Sequence, residues 1–273
     1  MFTLGIILAR AGSKGLPDKC IRLLLGRPLI EYTIDHALAA RRLDAVVLST
    51  DSPAAQDIAR RRGITVVQRP AELASDTATV DAAARHAVTW HEHAHAQRID
   101  AAVLLYGNIP VRAPGVIDRA VQHLAQTGAD SVRTLAPVSK QHPDWLHRLE
   151  GDRMVPFRPN SIYRRQDLAP LYYHDGAVIA VTRAALFAGA QPGADPSGTG
   201  SAVPDPHAFF GNDRRAIVQP ADATVDVDEE IDLNLAEALL RSRTLPEDSS
   251  VASTISRATL SRNPPRRMRS ARR

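Results

Sequence analysis

The sequence predicts an α/β protein built on a doubly wound, mostly parallel sheet. Short apolar runs rich in β-branched residues alternate along the chain with segments of helical spacing, the pattern of βαβ units. Those runs are nearly continuously apolar, as strands covered on both faces must be. With 273 residues, 44% hydrophobic and 23% charged, the chain has the length and composition to bury a sizeable core.

Residues 3–9 (TLGIILA) read as a buried strand running into a Gly- and Lys-containing loop. Residues 28–40 have helical spacing, with Pro28 suited to a first turn. A strand at 45–49, a helix opened by Ser-Pro at 53–62, a strand at 64–67 and a helix at 79–93 follow. The next elements are a strand at 101–105, a helix at 114–125 and a strand at 131–136. From 138 to 173 Pro, His, Trp and Arg break any period, and this stretch reads as an excursion from the sheet, either a subdomain or an oligomer contact. A strand at 177–181, an exposed flexible loop at 189–206, a strand at 216–219 and an amphipathic helix at 229–243 complete the pattern.

The formal charge is +4, with 34 basic and 30 acidic side chains. Residues 244–273 hold seven arginines and two acids, so they carry +5 and leave residues 1–243 at −1. The tail is also rich in Ser, Thr and Pro, and is read as a disordered, solvated extension in preference to a nucleic-acid-binding arm. Cys20 is the single cysteine, so no internal disulfide can form and a reducing compartment is expected. The first residues lack a basic region before their short apolar run, and no stretch reaches the roughly 20 apolar residues of a membrane span. A cytoplasmic protein with no membrane segment is the expectation.

Only three basic residues are lysines, and Lys14 and Lys19 fall in one loop, Arg10-Ala11-Gly12-Ser13-Lys14-Gly15-Leu16-Pro17-Asp18-Lys19. Its glycines permit close backbone approach, and its three cations suit a triphosphate beyond the carboxyl end of a first strand. Neither G-x-x-x-x-G-K-[ST] nor G-x-G-x-x-G is present, which disfavours a P-loop NTPase or a Rossmann dehydrogenase. In Val225-Asp226-Val227-Asp228 strand-like alternation puts two carboxylates on one side, a pair suited to Mg²⁺. Glu229 and Glu230 beyond them suit a helix N-terminus. His91-Glu92-His93-Ala94-His95 matches H-E-x-x-H, but Arg98 and Ala101 break the longer zinc pattern, so it reads as a solvated helix end.

The loop from Ile7 to Lys19 resembles the signature of the acylneuraminate cytidylyltransferases, or CMP-sialic acid synthetases. The resemblance continues in order through Leu48-Ser49-Thr50-Asp51, Gln68-Arg69-Pro70-Ala71-Glu72-Leu73-Ala74-Ser75-Asp76-Thr77-Ala78, Arg164-Arg165-Gln166-Asp167-Leu168, Asp175-Gly176-Ala177, Phe209-Phe210 and the Asp226-x-Asp228 segment. It implies a nucleotide-diphospho-sugar transferase-like fold over residues 1–243. It also implies transfer of CMP from CTP to a nine-carbon sugar acid with Mg²⁺, and a homodimer using part of residues 138–173.

By the same resemblance, Ala9, Arg10, Ala11, Gly12, Ser13, Lys14, Lys19 and Arg69 bind the nucleotide, with Arg10, Lys14 and Lys19 serving the chemistry. Asp226 and Asp228 hold the metal. Tyr106, Arg165, Gln166, Phe209 and Phe210 fall on the sugar side, the two phenylalanines as an aromatic wall. Departures gather there: Tyr106 stands for a Gln, Trp145 for a Lys and Asp175 for an Asn. Cys20 and Val80 also depart, for an Asn and a hydroxyl residue. The implied reaction is the same on a different sugar acid, such as a legionaminate or pseudaminate. A 3-deoxy-manno-octulosonate or other sugar nucleotidyltransferase and a non-catalytic sugar-nucleotide-binding homologue are the alternatives.

Overall fold

In the computed structural model, residues 1–12, 15–188 and 207–244 are described. Ser13 and Lys14, the Gly/Pro-rich loop at 189–206 and the basic tail from residue 245 lie outside them. The first strand, β1 (Thr3–Leu8), is buried along its whole length. A hairpin follows, β2 (Leu23–Leu24) and β3 (Arg27–Pro28), closed by the two-residue turn Leu25-Gly26 with φ of 51° and 78°. Positive φ at both positions is what a tight hairpin turn requires, and Gly26 supplies one at no steric cost.

Next come α1 (Leu29–Ala39), β4 (Ala45–Thr50), α2 (Pro53–Arg61), β5 (Thr65–Gln68), the short α3 (Ala71–Ala74) and α4 (Val80–His95). Ser52 and Thr79 cap α2 and α4, their hydroxyls accepting from Ala55 N at 3.3 Å and Ala82 N at 3.4 Å. The chain continues through β6 (Ala101–Tyr106), α5 (Val116–Thr127) and β7 (Ser131–Pro137). Glycines in left-handed conformation, Gly115 and Gly128, bound α5. A small hairpin of β8 (His147–Glu150) and β9 (Arg153–Pro156) then projects away from the sheet. The last elements are β10 (Tyr172–Thr182), α6 (Arg183–Ala188), β11 (Arg214–Val218) and α7 (Glu230–Thr244).

Seven strands form one sheet in the order β11-β7-β10-β6-β1-β4-β5. All are parallel except β10, which runs antiparallel to β6 and β7 and carries a register shift between His174 and Ile179. The expected class and nearly every element hold, with boundaries moved by a few residues. The strand expected at 177–181 is longer at both ends: Thr182 pairs with Ala101, and the bulge lets residues 172–174 rejoin β7. The strand-like pairing expected at 226–228 is absent: only Val225 makes an isolated bridge, to Val111.

Strand alternation divides the core. Ile7, Val103 and Leu105 face α1, α2 and α5, while Leu4, Ile6, Ala102 and Leu104 face α4 and α6. A third cluster joins Leu16 and Leu24 to Val225, Val227, Leu233 and Ala236, fastening α7 to the front of the molecule. Among the described residues no helix is long and apolar enough to cross a membrane.

Candidate active site

The sheet order places β4 on one side of β1 and β6 on the other. The crevice beyond the carboxyl ends of β1 and β6 is therefore a topological switch point, where open α/β sheets bind ligands. A cavity of ≈ 280 Å³ opens there, lined among others by Ala9, Arg10, Lys19, Cys20, Arg69, Tyr106 and Asn108.

The start of the loop is held by its neighbours. Ala9 N donates to Ser49 O at 3.2 Å, and Ala11 N to Asp51 Oδ1 at 2.8 Å. Arg10 extends to Asp76, Nη1 to Oδ1 at 2.7 Å. Arg69 is buried and donates to Ser49, from Nε to Oγ at 3.2 Å and from Nη2 to the carbonyl at 2.8 Å. Burial pulls its guanidinium below the usual arginine range, with Asp51 opposing. Burial pushes the Cys20 thiol up to about 11, so the cavity meets a neutral thiol where the resemblance has an Asn.

Alternation along 225–228 buries Val225 and Val227 in the α7 cluster and turns Asp226 and Asp228 out to the cleft. Lys19 Nζ meets Asp228 Oδ1 at 2.5 Å across 209 residues of sequence. Asn108 Nδ2 donates to Asp226 Oδ1 at 2.5 Å and to Val227 O at 3.0 Å, and Val227 N donates back to Asn108 O at 3.1 Å. Gly15 has a steric reason: a Cβ there would stand 2.8 Å from the Asp228 carbonyl. Asp226 opens onto the cleft, but its crowded walls limit hydration. That burial, and then the charge of Asp228, push its carboxyl up to about 6.

This pair fits Mg²⁺. Two like charges two residues apart face one way and already attract one cation, the Lys19 ammonium. Among the described residues no third acidic, His or Cys side chain completes a cage. Magnesium is suited to such a partial set, keeping water and substrate phosphate oxygens in its remaining positions.

The sugar-side residues do not all converge. Tyr106 lines the cavity. Arg165 donates to Ser139 Oγ at 3.3 Å and lines a separate cavity of ≈ 370 Å³, with exposed Gln166 beside it. Phe209 and Phe210 are 6% and 1% exposed and pack into the core beside Leu104, Ile179 and Leu186. The expected aromatic wall is thus core, because the turn Ala208–Phe210 directs both rings inward. The H-E-x-x-H segment is a helix end exposed at His93, Ala94 and His95, as expected, with His91 alone buried. Glu92 accepts from Arg183 at Oε1 and Oε2, at 2.7 and 2.9 Å, which withdraws it from metal chemistry.

Asn108, Asp51 and Ser49 hold cleft residues in place, a role the sequence reading gave to none of them. Ser49 and Asp51 were visible only as part of a quoted motif, and Asn108 only by its place just after a strand.

A family model described as cytidylyltransferase matches residues 4–178. The chain belongs to that family. An N-acylneuraminate cytidylyltransferase of Streptococcus agalactiae is 37% identical over 177 residues, 63% of this chain and 41% of that protein. The chain therefore spans well under half the length of that cytidylyltransferase. A CMP-N,N′-diacetyllegionaminic acid synthase of Legionella pneumophila is 30% identical over 248 residues, 88% of this chain and 97% of that protein. Among solved structures, a CMP:2-keto-3-deoxy-manno-octonic acid synthetase complexed with CTP shares the fold. Its TM-score is 0.64 at 21% identity, over 89% of this chain and 100% of that one. Membership of the cytidylyltransferases accounts for the order of the motifs and for the mostly parallel sheet that carries them.

Proposed function

We propose that this chain transfers CMP from CTP to a nonulosonic sugar acid and releases pyrophosphate. The observation that carries the reading is the meeting of Lys19 with the Asp226/Asp228 pair beside the cavity at the end of β1. A sugar hydroxyl oxygen attacks the α-phosphorus, the bond to the β-phosphate oxygen breaks, and the hydroxyl proton leaves to solvent. Arg10, Lys14 and Lys19 neutralise charge on the transferred and leaving groups, while Ala9, Ala11, Gly12 and Ser13 belong to the loop that receives the nucleotide and Arg69 braces the nucleotide side. Asp226 and Asp228 would hold Mg²⁺, which when bound supplies positive charge at the phosphates. Asn108 fixes the direction of the Asp226 carboxylate, and Lys19 orients that of Asp228.

The sugar acid differs from N-acylneuraminate, a reading supported by the Legionella relative along nearly its whole length and by Tyr106, Trp145 and Asp175 on the sugar side. Arg165 and Gln166 reach that acid from the excursion when two copies pair. The exposed apolar residues Leu146, Leu149, Met154 and Phe157 on and beside the β8–β9 hairpin support such a homodimer. CTP as substrate and the lone Cys20 support a cytoplasmic location.

The test is pyrophosphate release with each of four nucleoside triphosphates against a panel of eight- and nine-carbon ulosonic acids. Release with CTP and a nine-carbon acid alone is expected. Preference for an eight-carbon acid would reassign the substrate, and CTP binding without release would make the chain a non-catalytic binder. Asp228→Ala should lower the rate by about 10²–10³-fold, as loss of one charge-stabilising element does. Near-normal turnover in that variant would remove the metal assignment.

A further inference from the structure

Arg133 lies in the middle of β7, opposite Ile179 of β10, which itself stands opposite Leu104 of β6. Its side chain therefore leaves the sheet on the face of Leu104 and Tyr106. It is half-buried and makes no hydrogen bond or ion pair with the described residues. Its guanidinium lies 4.1 Å from the centre of the Phe210 ring, and His207 stacks on the same ring at 5.7 Å.

Among the described residues, the charged and titratable groups around it are few. Tyr106, Arg214 and Asp175 act on Arg133 through space, and His174 is acted on by it. Asp175 is the one acid among them, and both its oxygens are occupied. Oδ1 accepts from Thr134 Oγ1 at 2.5 Å and Ala177 N at 3.0 Å, and Oδ2 from Gln219 Nε2 at 2.6 Å and Thr224 Oγ1 at 3.3 Å. Burial, with Tyr106 and Asp175 opposing it only in part, draws the Arg133 guanidinium down to about 10. Among the described residues that line the front cavity, the other cations are engaged: Arg10 with Asp76, Lys19 with Asp228, Arg69 with Ser49.

We propose that Arg133 binds the carboxylate of the sugar acid, from behind Tyr106. The inference rests on the cytidylyl-transfer reading and names the residue of this chain that would make it selective for acids. A planar guanidinium backed by an aromatic ring presents paired donors to a planar carboxylate. Tyr106, between Arg133 and the nucleotide cavity, would divide the two halves of the site. The triphosphate would lie on the Lys19 side and the sugar acid on the Arg133 side.

The experiment compares wild type, Arg133→Gln and Arg133→Lys in pyrophosphate release. The probes are CTP with N-acetylneuraminate, with N,N′-diacetyllegionaminate, and with the methyl ester of whichever acid turns over faster. Arg133→Gln should raise KM for the acid about 10- to 100-fold, with KM for CTP within about threefold of wild type. Arg133→Lys, which keeps charge and stem, should fall between and serves if the Gln variant does not fold. Wild type should prefer the acid to its ester, and the Gln variant should lose that preference, an effect no general loss of structure produces. An unchanged KM for the acid, or equal rises for acid and CTP, would overturn the proposal alone. A wild type that releases no pyrophosphate with either acid would overturn the cytidylyl-transfer reading and this proposal with it.

Discussion

His36, near the end of α1, sits beside the Arg112 guanidinium, Nδ1 to Nη1 at 3.4 Å, at an apolar cavity of ≈ 260 Å³. Burial, reinforced by Arg112, holds its imidazole down at about 3, against an ordinary 6.5. In the unfolded chain the same residue takes a proton as pH falls through about 6.5, so between the two values the unfolded state binds more protons. Stability from this group is complete above about 6.5 and declines toward 3, by up to about 1.4 kcal/mol per pH unit. Thermal melting from pH 7 to 4 should show that decline, and His36→Gln should flatten it; identical slopes would refute the assignment. At this scale the sequence was informative where residue type alone carries the chemistry. Asp226 and Asp228 were legible because alternation forces both to one side, and Lys19 because lysine is scarce. Asn108 was not, since its role needs a segment 118 residues later to arrive beside it. Phe209 and Phe210 were placed by resemblance alone, which carries no backbone direction, and that direction turns both rings toward the core.

Among the elements, the turn from Tyr106 to Arg112 does most to shape the front of the molecule. Arg112 is buried and organises it: Nε donates to Ala177 O at 2.9 Å, Nη1 to Ile109 O at 2.6 Å and to Thr33 Oγ1 at 2.9 Å, and Nη2 to Tyr106 O at 2.9 Å. Truncation would remove a donor from three carbonyls in a dry interior. Arg112→Met should cost about 3 kcal/mol or more in denaturant unfolding, and Arg112→Lys should recover only part, because an ammonium cannot reach four acceptors in a fork. Full stability in the Lys variant would show that charge alone suffices. Helices and inner strands were legible because their apolar period or continuity is set by burial on known faces. The β2–β3 and β8–β9 hairpins were not, being two to four residues per strand with no period to read.

For the whole molecule, the decisive question is the number of copies. An isolated two-stranded hairpin is marginal in water, yet β8–β9 projects with Leu149 71% and Met154 63% exposed. A partner on that hairpin would cover them. Sedimentation equilibrium should give a dimer, and Leu149→Glu should shift it toward monomer with a loss of turnover; a wild-type monomer at micromolar concentration would refute the pairing. The parallel core of the sheet was legible from the alternation of element types, whereas the reversal of β10 was not. Nothing in an apolar strand records its direction.

The bond from Lys19 to Asp228 also has a meaning in time. Chains are synthesised from the N-terminus at ~5–20 residues per second, so roughly 10–40 s separate the appearance of its two ends. During that interval the first-made strands and the basic loop exist without either carboxylate. A nascent or prematurely terminated chain ending before Asp226 therefore lacks the acidic half of the proposed site, which arrives together with α7.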